Sequence, residues 1–194
     1  MNKALILLLL VATIHATKVF AQVNHIKSNG WQSRFHSLNT VQVLNGKTTT
    51  SLAINTVNGF QFNKLFTGIG TGFDYYYHTS VPLFLEARLD VLKRKGKLQW
   101  FGNGGLSFPF SAQNKNWEFK TGPYKTGTLY AAGFDYLIPV KKEAFILGVA
   151  FSSKQIIQMV DNNVWNPMLN RVENLPIKDK YSFDRIAIRA GWMF

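Results

Sequence analysis

The 194-residue chain contains no cysteine. Disulfides, thiolate metal sites and lipoprotein acylation are therefore excluded. An exported chain without disulfides must hold itself together by other means, and a closed, fully hydrogen-bonded set of strands does so. Acidic residues are also scarce, 10 against 22 Lys and Arg. The apolar run from Ala4 to Ile14 falls short of the roughly 20 residues that a helix needs to cross a bilayer. No segment shows a sustained helical period, and no linker, low-complexity tract or repeat divides the chain.

What is present begins with a leader. Met1-Asn2-Lys3 supplies a positive start, the apolar run follows, and Val19-Phe20-Ala21 precedes Gln22 with small residues at the key positions of a signal-peptidase site. Residues 1–21 are expected to be a cleaved signal peptide and 22–194 a single domain. Loss of Lys3 and Lys18 takes the basic count to 22 − 2 = 20 against 10 acids, a net +10. In a cytosolic protein that excess would point to nucleic acid. An exported chain meets instead the anionic lipopolysaccharide leaflet, and no nucleic-acid partner is expected.

Two-residue alternation recurs along the rest of the chain. In 81–93, Leu83, Leu85, Ala87, Leu89 and Val91 alternate with Phe84, Glu86, Arg88 and Asp90. In 64–76, Leu65, Thr67, Ile69, Thr71, Phe73 and Tyr75 alternate with glycines and Asp74. Segments 98–110, 127–138, 142–154 and 182–194 behave alike, and 33–44 and 49–60 more weakly, which makes eight. These are the number and length expected of an all-β, eight-stranded antiparallel up-and-down transmembrane β-barrel. Connections at 61–63, 94–97 and 139–141 are short. Those at 45–48, 77–80, 111–126 and 155–181 lie on the other rim, and the last two are long, the asymmetry of periplasmic turns and outer loops. Aromatic residues fall into two groups by depth. Phe60, Phe62, Trp100, Phe134, Tyr136, Phe145, Trp192 and Phe194 lie near the short-turn rim. Tyr75, Tyr76, Tyr77, Phe108, Phe110, Tyr130, Phe151 and Phe183 lie near the other.

Alternation alone leaves the sense of the faces open. A soluble lipocalin-like ligand-binding barrel would turn the same apolar residues inward. The membrane sense is favoured by the glycine- and alanine-rich polar face and by its charges of both signs. These are Asp74, Glu86, Arg88, Asp90, Asp135, Lys154, Arg185 and Arg189. In so narrow a lumen an unpaired charge is costly, so a paired network that plugs the barrel is expected, with Arg189 meeting Glu86 and Arg88 across the axis.

Signals for catalysis are thin. His25, His36 and His78 have no metal-ligand neighbour at useful spacing, and neither metal nor cofactor is expected. His78-Thr79-Ser80 offers the His-x-Ser spacing of a lipid A acyl hydrolase, with Asp74 or Glu86 to orient the histidine. The triplet is common by chance and a polar loop tip before Val81-Pro82 accounts for it better, so the chain is read as non-enzymatic. Gly68-Ile69-Gly70-Thr71-Gly72 has no following helix and fails as a phosphate loop.

The segments Gly70-Thr71-Gly72-Phe73-Asp74-Tyr75-Tyr76 and Ile188-Arg189-Ala190-Gly191-Trp192-Met193-Phe194 resemble the small OmpA/OmpX-type barrels, and the outer-membrane β-barrel/PorT-like group of Bacteroidetes. That resemblance covers the whole of 22–194. It implies a Gram-negative outer-membrane location, with Trp192 and Phe194 as a signal read by the barrel assembly machinery. The group includes structural barrels, adhesion or resistance factors and secretion accessories. Loops 111–126 and 155–181 are expected to contact lipopolysaccharide or a surface protein partner, the latter loop through Trp165, Met168, Leu169 and Leu175.

Overall fold

The computed structural model describes residues 33–47, 49–76, 78–93, 96–110, 121–160, 163–166, 168, 170–174 and 177–194. The leader 1–21, His25, Tyr77, Leu169, Leu175 and most of loop 111–126 lie outside them. The described residues form an all-β structure without helix. Its strands are β1 (Ser33–Asn45), β2 (Thr50–Phe62), β3 (Leu65–Tyr75), β4 (Thr79–Lys93), β5 (Lys97–Pro109), β6 (Thr121–Lys125), β7 (Gly127–Val140), β8 (Glu143–Val160), β9 (Asn163–Asn166), β10 (Arg171–Asn174) and β11 (Ile177–Met193). Antiparallel pairing runs β11-β1-β2-β3-β4-β5-β7-β8, and a β8–β11 pairing closes these eight into a ring. Every backbone ladder inside the ring is thereby satisfied without an open edge.

The register fixes the shape. Ser33 leads through partners Phe62, Leu65, Leu89, Trp100, Phe134, Val149 and Ile188 back to β1 at Val43. One circuit therefore advances 43 − 33 = 10 residues along the strand. With eight strands about 4.8 Å apart and about 3.3 Å per residue, that stagger sets a strand tilt of about 40° and a radius of about 8 Å. All eight residues after Ser33 in this row are large and apolar on the outside of the ring: Phe62, Leu65, Leu89, Trp100, Phe134, Val149, Ile188 and Val43.

The alternate residues point inward and are buried. Near the short-turn end Leu38, Val57, Phe66, Leu137, Ile146 and Met193 pack into an apolar floor. Charged and polar side chains fill the space above it. Small residues make room where large ones lean across. A side chain at Gly70 would strike the Phe84 ring, and one at Gly148 the Phe134 carbonyl and the Asp135 carboxylate.

Two expectations from sequence are corrected. Residues 155–181 and 121–125 are not simply loop: β8 runs on to Val160, β11 begins at Ile177, β6 pairs with β8, and β9 and β10 form a separate hairpin. The alternation fades at Gln155-Ile156-Ile157-Gln158 and Lys178-Asp179-Lys180 because above the ring neither face of the sheet has a uniform environment. Tyr76 is not part of an outer girdle. It has the inward parity of Asp74 and is buried.

Replacing Gly148 by valine should lower the free energy of unfolding by about 1–3 kcal/mol, the usual cost of overpacking. Denaturant titration of the folded protein would measure it.

Candidate functional site: the charged interior

Four acids, Asp74, Glu86, Asp90 and Asp135, and four cations, Arg88, Lys154, Arg185 and Arg189, are all buried within the ring. The interior is thus balanced in formal charge, and the basic excess of the chain lies elsewhere. All seven residues expected in a lumen charge network are inside, together with Lys154. They divide into two clusters at different heights.

The middle cluster is built on Arg88 of β4. Its Nε donates to Glu86 Oε1 at 2.6 Å, and its Nη1 donates to Asp135 Oδ2 at 2.8 Å on β7. Asn103 Nδ2 donates to the second oxygen of Glu86 at 3.0 Å. Arg189 of β11 reaches the same Asp135 oxygen at 3.8 Å. Residues two apart on a strand share a face, which is why β4 presents Glu86, Arg88 and Asp90 together. Asp90 accepts from Gln99 Nε2 at 2.7 Å and lies 3.9 Å from Lys97 Nζ at the rim. The two guanidiniums do not repel unscreened: both lie against the Phe101 ring, at 5.1 Å for Arg88 and 3.8 Å for Arg189. A quadrupolar ring favours cations at such distances. The expected meeting across the axis therefore runs through Asp135, with Phe101 as spacer.

The upper cluster repeats the plan. Lys154 Nζ donates to Asp74 Oδ1 and to Ser80 Oγ, while Ser80 Oγ donates to Asp74 and accepts from Ser107 at 2.9 Å. The Tyr76 ring stands beside both Lys154 at 5.1 Å and Arg185 at 4.9 Å, and its hydroxyl bonds Ser152. Among the described residues Arg185 has no carboxylate hydrogen-bond partner. Its guanidinium donates to the carbonyls of Tyr76 at 2.7 Å, Thr49 at 3.2 Å and Leu44 at 3.4 Å, and to the hydroxyls of Ser51 and Thr49. Carbonyl dipoles at the open ends of strands thus solvate this charge.

Sequence reasoning gave Phe101, Gln99 and Ser107 no part in the charge network. Their signal was parity on β5, where 99, 101, 103, 105 and 107 share the inward face. At the other rim, Trp192 Nε1 donates to Glu143 Oε2 at 2.6 Å and its ring lies 5.9 Å from Phe145. Phe194 is exposed, its backbone pairs with Ser37, and its carbonyl is 2.8 Å from His36 Nδ1.

The residues of a His–Ser pair are not joined by a hydrogen bond. The Ser80 hydroxyl is fully buried inside the ring and committed to Asp74, Ser107 and Lys154. His78 stacks on Tyr124 with 4.5 Å between centroids, and its Nδ1 has no hydrogen-bond partner among the described residues. Burial, helped by the nearby Lys154 charge, holds the His78 pKa below its ordinary value, so the ring is neutral at pH 7. Among the described residues no three His, Cys, Asp or Glu side chains gather around a metal-sized space.

No profile of a known protein family matches this chain, and neither does a curated protein. Its reading rests on the geometry.

Asp135 is the acid shared by both arginines. Asp135→Ala should cost about 3–5 kcal/mol, because it strands buried positive charge. Asp135→Asn, of the same shape, should cost a comparable amount. Equilibrium unfolding of the two variants would check this, and near-wild-type stability of the asparagine variant would show that shape rather than charge holds the centre.

Proposed function

We propose that this chain is a non-enzymatic β-barrel protein of the Gram-negative outer membrane. Its lumen is filled by side chains, and its projecting outer hairpin binds a surface partner or lipopolysaccharide. One observation carries the reading. The outside of the ring is a belt of exposed Val, Leu, Ile and aromatic residues, and of the described charges between the rims only Asp184, at the outer edge, faces out. A soluble ring around an apolar ligand has the opposite pattern. Ten residues of outward alternation on strands tilted by about 40° rise about 25 Å, the height of the apolar band of outer-membrane barrels. Trp100, Tyr136 and Phe134 toward one rim, and Tyr130 and Phe151 toward the other, fit interfacial girdles.

A lumen that is neutral, hydrogen-bonded and floored by apolar residues is a plug and not a pore. Function then belongs to the outer rim. There β8 and β11 extend beyond the other ring strands, flanked by β6 and continued by the β9–β10 hairpin. Val164, Trp165, Met168 and Val172 are exposed on that hairpin, beside Arg171, and exposed Ile177, Lys178 and Lys180 begin β11. Apolar and cationic side chains on one projecting element suit a contact surface for an anionic glycolipid or a protein. The ring-closing strand β11, with Trp192 and Phe194, is the segment we assign to the barrel assembly machinery.

In cells the protein should fractionate with the outer membrane and migrate faster on gels when unboiled. In planar bilayers it should give little or no steady current. Recovery in the soluble periplasm, with identical migration before and after heating, would contradict the barrel. A large, constant conductance would contradict the plug.

A further inference from the structure

The middle cluster is not closed on itself. Its principal members have each spent part of a side chain and keep another part buried and unpaired among the described residues. Arg88 gives Nε to Glu86 and Nη1 to Asp135, yet its Nη2 has no hydrogen-bond partner there. Asp135 takes Arg88 on Oδ2 and leaves Oδ1 without one. Asn103 gives its amide nitrogen to Glu86 at 3.0 Å, which fixes the way the amide faces, and its Oδ1 is unpaired. Arg189 lies against the Phe101 ring with an unpaired Nε, and its Nη2 stands 3.8 Å from Asp135 Oδ2, too far for a hydrogen bond. Asn55 Oδ1, from β2, completes the set. Arg88, Asp135 and Arg189 are exposed by no more than 2%.

The register draws these residues together. A stagger of ten residues over eight strands lifts each register row by about 1.25 residues per strand. On that slope Asn55 of β2, Asn103 of β5 and Arg189 of β11 fall within about one residue of a single height. Their strands stand two or three places apart around the ring, and all three residues have inward parity. The side chains therefore approach the axis from three sides, with Arg88 and Asp135 about three residues lower. Buried polar groups are paired in folded proteins, and where protein atoms do not pair them an ordered water does. The five unpaired atoms select that ligand, since two are N–H donors and three are oxygen acceptors. A metal cation would face guanidinium N–H groups, and an anion would face a carboxylate and two amide oxygens. Water both donates and accepts.

We propose that the centre of the ring is a binding site for enclosed water, held between Asn55, Asn103, Asp135, Arg88 and Arg189. The ionic filling is then a joint network of side chains and solvent. Apolar residues close the site in both directions, with Leu38, Val57 and Phe66 in the floor below and Leu44, Ala53 and Ala187 above. The water is trapped and does not pass through. This inference concerns the interior alone and holds whatever surrounds the ring.

The test is radiolytic footprinting of the folded full chain without dissolved oxygen. An X-ray pulse turns water into hydroxyl radicals that oxidise the side chains beside it, and mass spectrometry reads the sites. Phe101 and Phe66 form a matched pair, 0% and 1% exposed, but Phe101 lies against both arginines and Phe66 in the apolar floor. Phe101 should be oxidised several times faster than Phe66. If heavy-oxygen water is mixed in just before the pulse, Phe101 should still take up the ordinary isotope while exposed Trp165 takes up the heavy one. Asn55→Leu with Asn103→Leu, which removes two of the three acceptors, should bring Phe101 down to the rate of Phe66 in the folded variant. Equally slow oxidation of Phe101 and Phe66 in the unmodified protein would show a dry centre and overturn the inference. Equally fast uptake of the heavy isotope at Phe101 and Trp165 would show an open water path in place of an enclosed site and overturn it as well.

Discussion

The space inside eight strands is the constraint from which the rest follows. At a radius of about 8 Å the ring is only wide enough for side chains to meet, so whatever faces inward must fill the volume and satisfy itself. This chain fills the space with an apolar floor and two ionic clusters of balanced total charge. In each cluster one aromatic ring, Phe101 below and Tyr76 above, stands against two cations. The rings let like charges share a narrow space that carboxylates alone would not neutralise at every point. A buried ion pair is weak evidence of stability gained over an apolar core. Here the polar filling has another consequence. Above the floor, it leaves the outside as the place for most large aliphatic side chains.

The same division locates the working surfaces. Inside the ring the Ser80 hydroxyl is held between Asp74 and Lys154. On the reading proposed above, recognition belongs to the projecting β8–β11 pair with its accessory strands.

Much of this was legible in the sequence because a strand with two different sides writes its environment at every second residue. Eight alternating segments matched the eight ring strands to within a few residues at most ends, and all the expected interior charges are inside. Reading failed where that condition lapses. Above the ring, Gln155 to Val160 and Ile177 to Ser182 lie in strands without a clean two-sided pattern, and the short β6, β9 and β10 give too few residues for a period to show. Tyr75-Tyr76-Tyr77 looked like one aromatic cluster, although adjacent strand residues face opposite ways. The pairing partners inside were not legible either. Parity puts Glu86, Arg88, Asp135 and Arg189 on one face, but the stagger of ten residues decides that Asp135 is the acid between the arginines.

The central claim is that alternate residues of the ring face lipid and protein. Because the chain has no cysteine, single cysteines can report on it directly. With the protein in vesicles, a fluorophore placed by Leu85→Cys, Val43→Cys or Ile188→Cys should be quenched by lipid-attached nitroxide. One placed by Ala131→Cys or Ala187→Cys should not be. That two-residue alternation is the predicted result, and uniform or reversed quenching along the strands would contradict the account.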